Sequence, residues 1–460
     1  MSVVIVGGGI AGLAAGYELH KRGVPFVILE RAARAGGVIL SEDVDGFTLD
    51  AGPDALLTQK PEGIALCKEL GLGDRLVPTK EPRIAYIQRD GRLHALPAAS
   101  VLGIPTAFGP FITTRLFSLT GKLRMAAEVL IPPRRGDEDE SIGSFIGRRF
   151  GREAVTYLAE PLLAGIHAGD VDRLSIRSLF PRFALIEQRE GSLLRAFRAQ
   201  ASHAPRGGDG AFRSLPGGLS ELVRALVGAL PADAIRLNAP VTSFSRATGG
   251  QYRVEAAGWP ALGARAVVFA TPAYVTGQLV QSLDEGFARR CEDVPYASTG
   301  TIALGFAREQ VAHPLTGSGF VVPRVEGTGI LAASWLSSKW PHRAPEGHVL
   351  MRTFVGGGRD PEALQQSDAQ LIERSLAALR PLLGIQGAPT IARVYRFERA
   401  SAQHEVGHAA RLAAIEHDLA QQPGVFVTGS GFRGVGIPDC VADARATAGR
   451  VAEYLRAAVH

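Results

Sequence analysis

Val3-Val4-Ile5-Val6-Gly7-Gly8-Gly9-Ile10-Ala11-Gly12 stands at the head of the chain, and its reading decides the fold. Four β-branched residues in a row predict a strand buried on both faces, as in a parallel sheet. Gly7, Gly9 and Gly12 then form GxGxxG. Leu13 to Leu19 continues as a helix that Gly23 ends, and Val24 to Leu29 predicts a second strand closing on Glu30. Gly7 permits the tight turn, Gly9 lets backbone approach a pyrophosphate, and Gly12 lets the helix pack on the strand while its N-terminus faces the phosphates. Glu30 follows Gly12 by 18 residues, where an acid grips a ribose hydroxyl. Glycines alone would also suit a turn in some other α/β fold. Strand, glycines, helix, strand and acid in that order predict a Rossmann-type dinucleotide site.

Working outward, Arg34-Ala35-Gly36-Gly37 offers bare backbone just beyond the ribose site. A β-rich stretch, Val38 to Leu49, replaces the crossover helix of a nicotinamide domain and leads to Asp50-Ala51-Gly52-Pro53. This resembles the FAD-binding fold of amine oxidases and their relatives, and the resemblance implies FAD. Such domains are discontinuous, and further segments fit. Gly217-Gly218-Leu219 leads an amphipathic helix, Ile235 to Thr242 reads as a strand, and Ala266 to Ala270 reads as another. Val425 to Thr428 is a strand ending at Gly429. A loop with Gly431, Gly434 and Gly436 then precedes a helix opened by Ile437-Pro438-Asp439-Cys440. That helix N-terminus would favour negative charge on a reduced flavin.

Composition bounds the rest. The 460 residues allow two or three domains or one discontinuous assembly, and 46% hydrophobic with 21% charged residues excludes global disorder. The net charge of +5 is scattered, against a nucleic-acid binder. Cys67, Cys291 and Cys440 make no CxxC, and the dispersed histidines make no HExxH, so neither a disulfide framework nor a metal is expected. Reduced, cytoplasmic thiols are the default. Met1-Ser2 runs straight into the first strand with no charged leader, so the fold is expected to begin at residue 3. The longest uncharged stretch, Ala95 to Thr114, holds Pro97, Pro105 and Pro110, which a lipid-spanning helix would not carry. Asp137-Glu138-Asp139-Glu140 reads as a solvated loop.

A narrower resemblance follows. Gly52-Pro53-Asp54, Gly165-Ile166-His167-Ala168-Gly169-Asp170 with Leu174-Ser175, Arg343-Ala344-Pro345, Val406-Gly407-His408 and Gly434 to Cys440 occur in that order. Over nearly its whole length the chain resembles the protoporphyrinogen IX / coproporphyrinogen III oxidase family. Gly103-Ile104-Pro105-Thr106, with Leu116-Phe117-Ser118, Gly121-Lys122 and Asp54, is similar to the bacterial coproporphyrinogen branch. The resemblance implies an α/β FAD-binding domain at 1–80, 210–275 and 390–460. It implies an α+β substrate domain with a mixed sheet at 81–110 and 276–389, and a helical, membrane-facing domain at 111–209. It implies FAD contacts at Gly7, Gly9, Ile10, Ala11, Gly12, Glu30, Arg31, Gly36, Gly37, Gly52, Pro53, Val241 (through its backbone, at the adenine), Ala270, Gly429, Gly436, Ile437 and Pro438. Substrate and O2 are the reaction partners it implies, with six electrons removed from the macrocycle. The next haem-pathway enzyme and the inner face of the cytoplasmic membrane are further partners it leaves open, and both a monomer and a dimer stay open.

On the same footing Arg83 clamps a propionate, its fork suiting a carboxylate. Gly169 borders the macrocycle with backbone, Leu331 and Met351 supply apolar contacts, and Asp54 assists proton loss from a pyrrole nitrogen. The bland readings are a solvated arginine and plain core. The chain departs from the family at Phe397, where Trp is usual nearby, at Ala402 (usually Pro), at His404 (usually Tyr) and at His167 (usually Tyr or Phe). His167 is either a proton relay or a tolerated flat ring. The alternatives are another FAD oxidase, such as an amine oxidase or a desaturase, and a non-enzymatic escort-type protein with a GxGxxG domain.

Overall fold

The computed structural model describes residues 2–97, 100–101, 104–105, 108–203 and 210–457. The apolar runs assemble into one parallel sheet in the order Ile235–Arg236, Phe26–Leu29, Val3–Val6, Ala266–Phe269, Val425–Val427. The three central strands are buried throughout, because both faces are covered. Val3, Ile5, Ile28 and Val268 pack beneath helices Ile10–Lys21, Ser220–Gly228 and Ile437–Ala457. Val4, Val6, Val27 and Phe269 pack on the opposite side, against the meander Val241–Arg246, Tyr252–Ala256, Leu262–Ala264 and the helices that follow it.

Two expected boundaries move. The strand foreseen over Ile235 to Thr242 is two strands. Ile235–Arg236 pairs with Ile28 and Leu29, the chain turns at Asn238 with φ 51°, and Val241 starts the meander opposite Ala256. Asn tolerates the left-handed region, and Pro240 cannot donate to a ladder. The third FAD segment was expected from 390. Instead Ile391–Ala402 pairs with Tyr296–Gly305, from Tyr296 opposite Ala402 to Gly305 opposite Ile391, so that segment resumes only after Ala402.

Ile391–Ala402 is thus the edge of a seven-stranded mixed sheet, followed by Tyr296–Ala307, His348–Gly356, Ala332–Ser334, Gly319–Val321, Ala85–Arg89 and Arg92–Ala95. Strand alternation sorts its side chains. Ile302, Leu304, Met351 and Val355 face helix Asp368–Leu383, and Thr353 shares a hydroxyl hydrogen bond of 2.7 Å with Ser375 of that helix. The other parity faces the FAD-side hairpin Ser41–Val44/Phe47–Asp50. There Ala303 and Leu350 pack on Phe47 and Leu49, Thr301 donates to Ala51 O at 2.7 Å, and Tyr395 donates to Glu42 at 2.7 Å.

The helical segment, Phe108–His203 among the described residues, surrounds a fully buried arginine. Arg149 Nε donates to Glu128 at 2.8 Å and Nη1 to Ile131 O at 2.9 Å, while Glu128 also accepts from Ser192 at 2.6 Å. Within this segment Leu116 is buried, while Leu119, Leu123 and Leu130 are exposed on the helical surface. The acidic run is only half solvated. Asp139 accepts from Ser175 at 2.9 Å and Glu140 is buried against Arg148. Of the Gly103 to Thr106 string, Ile104–Pro105 pairs with Ser100–Val101, and Gly103 and Thr106 lie outside the described residues. Among the described residues no helix is long and apolar enough to cross a membrane.

Candidate active site

The glycines of the first turn serve two different purposes. Gly7 sits at φ 105°, a region L-residues avoid. A Cβ on Gly12 would lie 1.9 Å from Gly7 O, so that glycine is demanded by the protein itself. Gly9 has an ordinary φ of −72° and caps the helix, and a Cβ there would meet nothing within 4 Å. Its bareness serves a neighbour outside the chain, at a helix N-terminus whose first N–H groups lack intrahelical partners. This is the cradle a dinucleotide pyrophosphate fits. Glu30 is buried beside it; Oε2 accepts the Gly8 N–H at 2.6 Å and Oε1 the Ala32 N–H at 2.8 Å. Each oxygen keeps acceptor capacity for a ribose hydroxyl.

The remaining glycine pairs converge here. Gly36 donates to Gly8 O at 2.8 Å, and Gly37 packs on the Gly9 backbone. Arg34 staples the turn through Gly37 O at 2.6 Å and Ile39 O at 3.0 Å. Gly52 lies against Val38, where a Cβ would come within 2.0 Å of the Val38 carbonyl. Ala270 donates to Val6 O at 2.8 Å and borders Gly7. Gly429, at φ 107°, sits over Ala11. Asp443 anchors it, accepting Thr428 Oγ1 at 2.7 Å, the Gly429 N–H at 3.1 Å and Arg433 at 3.1 Å. Gly436 O receives the Cys440 N–H at 2.9 Å and so opens the last helix, with Ile437 and Pro438 buried behind it. Asp439 in that first turn holds Lys60 at 2.6 Å. Arg31 is exposed, and Val241 lies two residues beyond Ala239, whose N–H donates to Glu30 O at 2.8 Å.

Asp54 is the most heavily bound acid of the site. Lys339 Nζ and Trp340 Nε1 donate to Oδ2 at 2.7 and 2.8 Å, and Arg352 Nη2 donates to Oδ1 at 2.8 Å. Burial would raise its pKa. The charges of Lys339 and Arg352, with the Lys339 and Trp340 hydrogen bonds, outweigh burial and hold the carboxyl well below the usual range. The carboxylate is therefore a fixed anion, poorly suited to the proton transfer expected of it. Arg352, itself buried, also donates to Asp50 O and to Gly52 O at 2.6 Å, and its guanidinium lies 4.7 Å from the half-buried Phe354 ring. Arg343 is buried against Asp50 at 2.8 Å and donates to Pro216 O at 2.8 Å. Arg352 of the second sheet and Arg343 of the loop before strand His348–Gly356 thus hold the segment 50–54.

The other expected residues divide. Arg83 lies in the turn before strand Ala85–Arg89 rather than on it, and donates to Thr79 O at 3.1 Å. The adjoining Lys80 N–H donates to Lys339 O at 3.0 Å, which brings this cationic turn to the Asp54 cluster. His167 is half-buried, edge-on to Phe180, and its imidazole is pushed down to about 4 by burial and then by Lys60. At neutral pH it is therefore uncharged. Gly169 is glycine for a protein reason, since a Cβ would meet Leu174 at 2.4 Å and Gln403 at 2.5 Å. Leu331 is buried, bonded through its backbone to Phe354 O at 2.7 Å. Met351 is a correction: it is wholly buried on the face turned to helix Asp368–Leu383, because its parity is opposite to that of Arg352 and Phe354. His404 stacks on His408, ring centroids 3.7 Å apart, and their Nε2 atoms bond Ser430 O and Phe432 O at 2.9 Å.

Sequence reasoning missed Lys339, Trp340, Arg352 and Asp443. Arg352 carried a signal: it is the lone charge in the apolar strand Val349-Leu350-Met351-Arg352-Thr353-Phe354-Val355, where a buried cation needs a partner.

Comparison with known proteins agrees with this architecture. Residues 10–452 match the family described as Flavin containing amine oxidoreductase. The coproporphyrinogen III oxidase of Bacillus subtilis (strain 168) is 35% identical over 98% of this chain and 98% of its own. That of Propionibacterium freudenreichii subsp. freudenreichii is 32% identical over 99% and 92%. A solved structure from Exiguobacterium sp. 255-15, named provisionally as a protoporphyrinogen oxidase, matches with TM-score 0.87 and 33% identity over 98% of both chains.

Proposed function

The chain belongs to the flavin containing amine oxidoreductases, in the branch of the coproporphyrinogen III and protoporphyrinogen oxidases, and we propose that it is a porphyrinogen oxidase of haem biosynthesis. The observation that carries this reading is the full-length 35% identity with a coproporphyrinogen III oxidase. Within the branch we favour coproporphyrinogen III, because Lys80 and Arg83, the latter 3.5 Å from the exposed Glu81, share a turn joined to Lys339, where a substrate with more propionate arms needs cations.

The cofactor is FAD, held by the Gly7–Gly12 turn, Glu30, Gly36–Gly37, Gly52–Pro53 and the Gly429–Pro438 loop. When bound it supplies the two-electron acceptor for C–H bonds at the bridging carbons of the macrocycle. The overall reaction converts one porphyrinogen and three O2 to the porphyrin and three H2O2. The residues of the chain mainly position and shield. Arg352 and Arg343 fix segment 50–54, and Asp54 acts as the fixed anion that keeps Lys339 and Arg352 in register. Phe354 and Leu331 offer an apolar wall, and Arg83 is assigned to a propionate. Uncharged His167 serves as a flat ring beside Phe180. The exposed Leu119, Leu123 and Leu130 are the residues by which the helical segment would rest on a membrane. Three buried, unpaired cysteines suit a reducing cytoplasm.

The test is an aerobic assay of the FAD-loaded protein on coproporphyrinogen III and protoporphyrinogen IX in parallel, reading porphyrin fluorescence. Turnover is expected on both, with the higher kcat/KM on coproporphyrinogen III. Arg83→Ala is expected to raise KM by about tenfold, the loss of one charged contact, without changing flavin content. A yellow, reducible protein that forms no porphyrin from either substrate would overturn the proposal.

A further inference from the structure

A further buried ion pair lies where the helical segment meets the second sheet. Glu160 stands in the widened π-type helix Val155–Ala164, which has Pro161 inside. Such helices arise where the ordinary ladder is interrupted, and often at functional sites. Glu160 Oε1 lies 3.1 Å from Arg359 Nε, with both side chains 9% exposed, and Oε2 accepts the Arg324 N–H at 2.8 Å. Arg359 Nη1 donates to Val322 O at 2.9 Å, while Glu160 Oε1 meets the guanidinium as an ion pair without a hydrogen bond. The two halves of the pair therefore belong to different parts of the molecule.

Immediately before Arg359 the chain makes its closest approach to the His167–Gly169 segment. Gly358 donates its N–H to Ala168 O at 2.8 Å, and a Cβ on Gly357 would come within 2.3 Å of that oxygen. Ala168 itself sits at φ 50°, unusual for a residue with a side chain, so the surroundings over-determine it. From the other side Ser401 Oγ and Gln403 Nε2 both donate to His167 O, at 3.1 and 3.0 Å. The segment is pinned by the turn that follows strand His348–Gly356 and by the end of strand Ile391–Ala402, and the ion pair is the side-chain tie beside it. A buried pair of this kind is weak as a source of stability; its attested use is to fix geometry.

We propose that Glu160 and Arg359 form a clasp that sets the spacing between the His167–Gly169 wall and the second sheet, and that they are positioning residues governing how a porphyrinogen enters. The entry role rests on the proposed substrate; the clasp itself does not. Neither residue touches the reacting atoms, so loss of the clasp acts on substrate admission rather than on cofactor binding.

The test uses holoenzyme carrying Glu160→Gln and, independently, Gly357→Ala, which pushes on Ala168 O without touching the pair. Each is expected to raise KM for coproporphyrinogen III about tenfold, with kcat changed less than about twofold and flavin content unchanged. Arg359→Lys, which keeps the charge without the fork, should fall between. Hydrogen exchange at amides 166–170 and at Gly358 should quicken in Glu160→Gln by about tenfold or more, while the strand Val3–Val6 stays protected. If Glu160→Gln fails to fold, Arg359→Lys decides the clasp by the same readouts, and Gly357→Ala decides only whether the spacing at Ala168 governs KM. Unchanged exchange overturns the clasp. Faster exchange with unchanged KM, or a fall in kcat alone, overturns the entry role. A wild type inactive on porphyrinogens overturns that role together with the proposed substrate, and the exchange readout still decides the clasp.

Discussion

The two walls of the cleft are built from different materials. On the FAD side the wall is backbone: Gly7, Gly12, Gly36 and Gly52 crowd Cα against carbonyls, and Gly9 and Gly37 leave bare backbone between them. On the substrate side it is held by buried charge, with Arg352 and Lys339 on Asp54, Arg343 on Asp50 and Arg359 on Glu160. Backbone placed by glycine can meet a phosphate closely and costs little electrostatically. Buried ions are costly to desolvate, but they tie together segments far apart in the chain, such as Asp54 and Arg352. The first construction makes a ligand cradle, and the second makes a junction of defined width.

The largest effect should come from breaking the backbone wall, and two glycines should break it differently. Gly12→Ala must displace Gly7, since its Cβ would sit 1.9 Å from Gly7 O; a loss of about 3 kcal/mol or more in apoprotein stability is expected. Gly9→Val meets only open space, so the apoprotein should unfold at the wild-type urea midpoint while flavin content falls more than about tenfold. Absorbance of bound flavin and urea unfolding of the apoprotein measure both. If Gly9→Val retained its flavin, the open space beside Gly9 would not belong to the cofactor, and the comparison would lose its first term.

The same contrast explains what could be read beforehand. The glycine turn, its strand and helix, and Glu30 lie within one short stretch, and local physics alone dictates their conformation. Four of the five strands of the parallel sheet were legible as apolar runs, the exception being Ile235–Arg236 at its edge. Its edge was blurred only at Asn238, where an αL turn ends one strand before the next begins. The junction was not legible in this way. Asp54 looks like a candidate base until Lys339, Trp340 and Arg352 arrive from nearly three hundred residues away. Met351 and Arg352 are neighbours in the chain, and only the register of the sheet decides which of them faces the cleft. The expected start of the third FAD segment at 390 met a similar obstacle, because the pairing of Ile391–Ala402 with Tyr296–Gly305 is a tertiary fact.

The charged wall should break at Arg352. Arg352→Leu removes the guanidinium but leaves the Asp54 carboxylate buried with fewer donors, and frees the Asp50 and Gly52 carbonyls. A loss of about 3–5 kcal/mol is expected, as for other buried pairs broken on one side. Asp54→Asn keeps the shape and should cost less, while leaving Lys339 and Arg352 as uncompensated cations. Urea midpoints of the two variants, compared at constant slope, check the order. If Arg352→Leu lost less than about 1 kcal/mol, the junction would be a packing contact, and the distinction between the two walls would disappear.

The smallest effect should lie where the walls meet, at His404 and His408. Both imidazoles are buried, and each bonds a carbonyl of the Ser430–Phe432 loop. Burial, then the neighbouring His408, push His404 from its ordinary 6.5 down to about 3. The native state thus resists a proton that the unfolded chain accepts, and stability rises with pH wherever the unfolded state binds more protons. The contribution is complete above pH 6.5 and is lost progressively toward about pH 3. Each pH unit within that window amounts to about 1.4 kcal/mol for one such group. His404→Phe removes the titrating ring and its bond to Ser430. It should be less stable than wild type at pH 7, yet lose less between pH 6 and pH 4, as followed by urea midpoint and flavin release. Equal acid losses in the two proteins would place the sensitivity elsewhere than His404. Asp54, held ionised by Lys339 and Arg352, would not account for it, since its contribution is lost only as pH falls below the ordinary carboxylate value of 3.8.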